Sequence, residues 1–206
     1  MIDWMQNLAL IEMAITCGVI VTWLVQSYSD KTFSFLVKWF MVALVANIFF
    51  WPLGLGMQLP LAAYVRAVTG DLSIVLTLLL WSSVLLPSRP APISFKLAIV
   101  FISFMFYPLA LGLGMIDPYA WGYSSLRLLI GVLVLALICG LAGWTKGVWI
   151  IALAVLAWAG HWHESTNLWD YVLDPLLAIW AVIALVNTMQ RKRRDKARSG
   201  YLFRAG

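Results

Sequence analysis

The run Pro175-Leu176-Leu177-Ala178-Ile179-Trp180-Ala181-Val182-Ile183-Ala184-Leu185-Val186-Asn187-Thr188-Met189-Gln190 carries no charge and then meets Arg191-Lys192-Arg193-Arg194. With the residues from 167 onward it is long enough to cross a bilayer, which takes about 20 mostly apolar residues. A basic cluster directly after such a run marks the cytoplasmic end, because Lys and Arg accumulate on that side. One stretch thus sets both the class of the chain and its direction.

The rest of the sequence agrees. Of its 206 residues, 63% are apolar and 11% charged, with twelve Trp. A soluble domain holds roughly 45–50% apolar residues and needs a surface about a quarter charged. A soluble enzyme, a disordered region and a secreted disulfide scaffold are excluded. Cys17 and Cys139 lie far apart in apolar runs, form no C-x-x-C motif and read as small packing residues. Met1 to Asn7 contains no Lys or Arg, unlike the start of a signal peptide, so the first apolar run reads as a retained span.

The expected fold is all-α, a polytopic membrane protein with seven transmembrane helices over residues 7–28, 33–57, 71–87, 95–115, 123–143, 146–161 and 167–190. Residues 1–190 then form the membrane domain and 191–206 a basic cytoplasmic tail. With the tail inside, alternation puts twelve of the fourteen basic residues on the inner side, all but Arg66 and Arg127. Seven of the nine acids, all but Asp30 and Asp195, fall outside. The N-terminus is expected outside. Trp4, Trp51, Trp121, Trp162 and Trp169 come at outer ends and Trp39, Trp81, Trp144 and Trp149 at inner ends, where an apolar ring with a polar N–H is favoured. Trp51-Pro52-Leu53 and Tyr107-Pro108-Leu109, each leading to Leu-Gly-Leu-Gly-Met, suggest a duplicated helical hairpin. Parallel repeats occur in transporters, whereas small residues alone also serve close helix packing.

The surviving polar residues gather at the outer boundary: Glu12, Arg66, Asp71, Asp117, Arg127, His161, His163, Glu164, Asp170 and Asp174. Ionisable groups at membrane depth mark a site or a buried pair. Asp71, Asp117-Pro118 and the capping box of Asn167 with Asp170 also read as helix starts, where the dipole favours an acid. Arg127, past the first turn of the fifth span, either snorkels, pairs with Asp71, Asp117, Asp170 or Asp174, or joins Arg66 in holding a lipid phosphate. Asp174, read as two turns inside the seventh span, and Glu12, one turn inside the first, are carboxylates that are either paired or carry a transported proton. His161, His163 and Glu164, with Asp170, have ligand types that suit zinc or another divalent ion. Two histidines two apart share a metal only in a loop, and the spacing is not that of a zinc hydrolase.

No lysine in the seventh span offers a retinal linkage, and no intramembrane protease pattern or glycine-rich phosphate loop occurs. The tail reads as a topology signal with anionic-lipid contact rather than a nucleic-acid patch. The first expectation is a small non-enzymatic subunit of a complex in a bacterial inner membrane, handling an envelope lipid or lipid-linked glycan at the outer leaflet. Its partners would be membrane lipids and a second membrane protein or further copies of itself, with no nucleic acid and no required cofactor. The alternative is a proton- or ion-coupled transporter using Glu12, Asp174 and Arg127. A metal-dependent enzyme acting on a lipid head group comes third.

Overall fold

The computed structural model describes residues 4–30, 32–52, 54, 58–86, 89–123 and 126–202. The described residues form helices joined by short loops, with no strand among them. The α-helices are α1 (Trp4–Ser27), α2 (Phe35–Phe50), α3 (Leu61–Thr69), α4 (Ile74–Leu85), α5 (Ile93–Ala110), α6 (Leu126–Leu141), α7 (Thr145–Ala159), α8 (Leu168–Val172) and α9 (Pro175–Leu202), with a 3₁₀ turn at Tyr119–Gly122.

Local chemistry sets these limits. Ser34, Ser73 and Asn167 cap α2, α4 and α8 through side-chain oxygens that accept backbone N–H groups. α5, α6 and α7 end in paired 6→1 and 5→2 hydrogen bonds. The left-handed residue of that motif is Gly112 after α5, Gly143 after α6 and, with φ 51°, His161 after α7. α1 pairs with α2, α5 with α9, and α6 with α7, while α4 contacts α1, α2, α7, α8 and α9. The helix most enclosed is therefore α4, which buries Ile74, Val75, Leu76, Leu79, Val84 and Leu85. α1 and α2 approach closely at Gly18, where a Cβ would lie 2.7 Å from the Val42 carbonyl oxygen. The outward faces of α2, α5, α6 and α9 stay apolar, with Phe40, Phe104, Leu137 and Ile183 among the exposed side chains.

Three stretches are long and apolar enough to cross a membrane: Gln6–Ser27, Ile93–Ala110 and Leu168–Lys196. The last is interrupted at Leu173-Asp174, so its continuous part starts at Pro175. α2, α4, α6 and α7 are shorter apolar helices. At 1.5 Å per residue, the 16 residues of α2 reach about 24 Å, against about 30 Å of hydrocarbon.

Four features depart from the sequence expectation. The helix assigned to 33–57 stops at Phe50, because Pro52 has no N–H to continue it. The outer loop contains α3, which has a strongly one-sided apolar face and ends at Gly70 with φ 72°. The seventh span is not one helix. Leu173 is extended, and Asp174-Pro175 restarts the chain as an N-cap followed by proline at the first helical position. Finally, Pro52 follows the end of α2, whereas Pro108 lies inside α5, so the two aromatic-Pro-Leu segments adopt different structures. Leu53 and residues 55–57 of the first segment lie outside the described residues.

Candidate functional site: a polar layer at one end of the bundle

The ends of α5 and α7 and the starts of α1, α4, α8 and α9 meet at one end of the molecule, and the polar residues converge there. Glu12, only 7% exposed, points from α1 into the bundle. Its Oε1 accepts from Thr77 Oγ1 of α4 at 2.9 Å, and its Oε2 accepts from the Trp162 indole N–H at 3.0 Å. His163 Nε2 lies 3.0 Å from the same Oε2. A carboxylate at this depth requires several donors, because leaving it unpaired costs several kcal/mol. α4 and the loop after α7 supply them.

His163 is fixed by its own loop. Its ring stacks on Tyr171, with centroids 5.0 Å apart and planes at 19°. The Tyr171 hydroxyl accepts the His163 backbone N–H and shares its one proton between the carbonyl oxygens of Ser165, at 2.9 Å, and His163, at 3.2 Å. Tyr171 is fully buried, so the loop after α7 is pinned to α8 by one phenol. The other imidazole nitrogen, Nδ1, is buried with no hydrogen-bond partner among the described residues.

Arg66 of α3 grips Asp71 through two hydrogen bonds, from Nε to Oδ1 and from Nη2 to Oδ2. It also reaches Glu164 Oε1 at 3.4 Å. Burial pushes the Asp71 carboxyl upward, but the Arg66 hydrogen bond and the guanidinium charge outweigh it, leaving the group below its ordinary value. α3 is thereby fastened across the bundle end to the loop after α7.

Asp170 accepts from the Tyr119 hydroxyl at 3.2 and 3.0 Å and from the Ser165 hydroxyl. Burial, followed by the Asp170 hydrogen bond and charge, raises the Tyr119 phenol well above its ordinary value, so it remains a donor. Asp174 Oδ1 caps α9 by accepting from Leu177 N at 2.7 Å, and Oδ2 accepts from Ser73 N at 2.8 Å. Asp71, Asp170, Asp174, His163, Ser165, Tyr107 and Tyr119, with Phe106, Trp169 and neighbouring aliphatic residues, enclose a cavity of about 480 Å³. A second cavity of about 300 Å³, lined by Glu12, Thr77, Trp81, Trp162 and aliphatic side chains of α4 and α7, lies on the other side of the pair. Glu12 and His163 link the two cavities.

Glu12, Arg66, Asp71, His163, Glu164, Asp170 and Asp174 are thus gathered in one layer. Three expected members stand apart: Arg127, Asp117 and His161. Arg127 is exposed at the start of α6 and pairs with none of the described acids. The cation that holds Asp71 is Arg66, which leaves no pair of free arginines for a phosphate. Asp117 caps the 3₁₀ turn by accepting from Tyr119 N and Ala120 N, and not the helix that follows it. Ser73, not Asp71, caps α4. Asp170 follows the Asn167 cap but spends its side chain on Tyr119 and Ser165. Asp174 lies at a helix start, not two turns inside a helix.

The metal candidates diverge. His161 is exposed in its left-handed turn, His163 turns inward to Glu12, and Glu164 faces Arg66. Among the described residues no group of three His, Cys, Asp or Glu is placed to hold a metal ion. Thr77, Tyr107, Tyr119 and Tyr171 were not anticipated from the sequence, since single hydroxyls in apolar helices carry no spacing signal.

The fold and site define the class only coarsely, as an all-helical, membrane-associated protein with a polar layer at one end. No family model, curated protein or solved structure matches the chain.

Proposed function

We propose that the chain crosses a bacterial inner membrane seven times, N-terminus outside and C-terminus inside, with the polar layer at the outer leaflet. In this reading it is a small non-enzymatic subunit of a larger membrane complex that handles an envelope lipid or a lipid-linked glycan. Seven apolar helices, α1, α2, α4, α5, α6, α7 and α9, support the span count. The short α4 is enclosed by neighbouring helices, and non-helical backbone at its ends is tolerated where protein covers it. The orientation rests on the uneven distribution of Lys and Arg.

The observation that carries the functional reading is the cavity of about 480 Å³ in the polar layer, with carboxylates, hydroxyls and aromatic rings in one wall. Its residues come from α5, the 3₁₀ turn, α8, α9 and the loops before α4 and α8, which suits a ligand entering from the membrane surface. Extraction in mild detergent followed by native mass spectrometry tests it. The expected result is a stoichiometric partner protein and one enriched envelope lipid, the lipid lost in Asp170→Asn. A bare protein with no enriched lipid contradicts it.

One observation favours a second reading, proton- or ion-coupled transport: the Glu12–His163 pair lies between two cavities. Of the three residues first assigned to it, only Glu12 keeps that role, since Asp174 is a cap and Arg127 lies apart. Uptake into vesicles driven by a pH gradient and abolished by Glu12→Gln would establish it; its absence returns the pair to a structural role.

A further inference from the structure

Three carboxylates, those of Asp71, Asp170 and Asp174, border the larger cavity, and among the described residues no Lys or Arg does. Two of them are already answered, Asp71 by the Arg66 guanidinium and Asp174 by two backbone N–H groups. Among the described residues Asp170 has the hydroxyls of Tyr119 and Ser165, which stabilise its charge without neutralising it. The rings of Phe106, Tyr107, Tyr119 and Trp169 surround it, with Phe106 and Trp169 centroids 4.5 Å apart.

A second, independent feature points to a ligand. His163 is 3% exposed and borders the cavity, and its Nδ1 is buried without a partner. When the imidazole donates its Nε2–H to the Glu12 carboxylate, Nδ1 is left as a bare acceptor. The Tyr107 hydroxyl, also in the cavity wall, is buried and unpartnered too. An anionic oxygen pair, an unfilled nitrogen lone pair and aromatic faces together call for a cationic hydrogen-bond donor. A phosphate as the group seated against Asp170 would be repelled.

We propose that this cavity binds a protonated primary amine, its ammonium on Asp170 with an N–H to His163 Nδ1 and its charge against the aromatic rings. The inference rests on reading the cavity as a ligand site at the outer face and specifies the chemistry that the site selects. The same ammonium can arrive on a lipid head group or as a free amine.

The full chain in phosphatidylglycerol nanodiscs is titrated with phosphatidylethanolamine, the same lipid N-acetylated, and free ethanolamine, with binding read by native mass spectrometry. The amine lipid is expected to bind at least about tenfold tighter than its N-acetylated form, the discrimination a desolvated cationic contact supplies. Asp170→Asn should bring the two within about twofold. Tyr107→Phe, which removes a hydroxyl that holds no partner and so leaves the fold's hydrogen bonds intact, should weaken amine binding about threefold. Tighter binding of the lipid-borne amine than of ethanolamine assigns a head-group site, and equal binding assigns a soluble amine. Equal affinity for the lipid and its N-acetylated form overturns the amine site while leaving a lipid site in place. Binding of none of the three probes also overturns it, and the lipid enriched on extraction then decides the broader reading separately.

Discussion

Asp71 illustrates how one side chain can join two elements that neither could hold alone. Its pair with Arg66 is partly exposed, so its contribution is below about 1 kcal/mol after screening. The sign of its pH dependence follows from the direction of its shift. Because the folded carboxyl lies below its ordinary value, the stabilisation is complete above about pH 4 and is lost as pH falls through the lower folded value. Thermal unfolding in detergent should show wild type above Asp71→Asn at pH 7, with the two curves merging below about pH 4. A gap that widens on acidification contradicts the pair. Neither the pair nor its partner was legible in the sequence. Arg66 and Asp71 were both marked as outer polar residues, but their meeting depends on the turn at Gly70, whose φ of 72° folds the loop back beneath α3.

At the scale of elements, the break between α8 and α9 decides what the site contains. A continuous helix would put Asp170 and Asp174 on one face; the extended Leu173 instead lets Asp174 cap α9 while reaching Ser73 at the start of α4. Asp174→Ala should therefore cost about 2 kcal/mol or more, from a lost cap and a buried N–H left without an acceptor. Equilibrium unfolding in mixed micelles measures this, and a change under about 0.5 kcal/mol would remove the junction role. The signal for this break was present in Asp174-Pro175, the same acid-then-proline order that reads as a helix start at Asp117-Pro118 and there opens only a 3₁₀ turn. The apolar run around it outweighed it. Hydropathy reports that a segment is apolar and not whether its backbone is continuous, which is also why the second helix was drawn through Pro52. Glu12 and His163 lie 151 residues apart, and no local periodicity could join them.

For the whole molecule, the all-helical fold and its apolar exterior followed from composition together with long unbroken apolar runs, which satisfy their backbone as helices, whereas barrel strands would alternate apolar and polar residues. The side of the membrane on which the polar layer lies comes from charge counting alone, yet every functional proposal depends on it. Single cysteines decide it in right-side-out vesicles, since Cys17 and Cys139 are buried. Met115, fully exposed between α5 and the 3₁₀ turn, marks the polar end, and Lys192 marks the opposite end. The account predicts that Met115→Cys reacts with a membrane-impermeant maleimide before lysis and Lys192→Cys only after it. The reverse order, or labelling of both before lysis, would contradict a site at the outer leaflet.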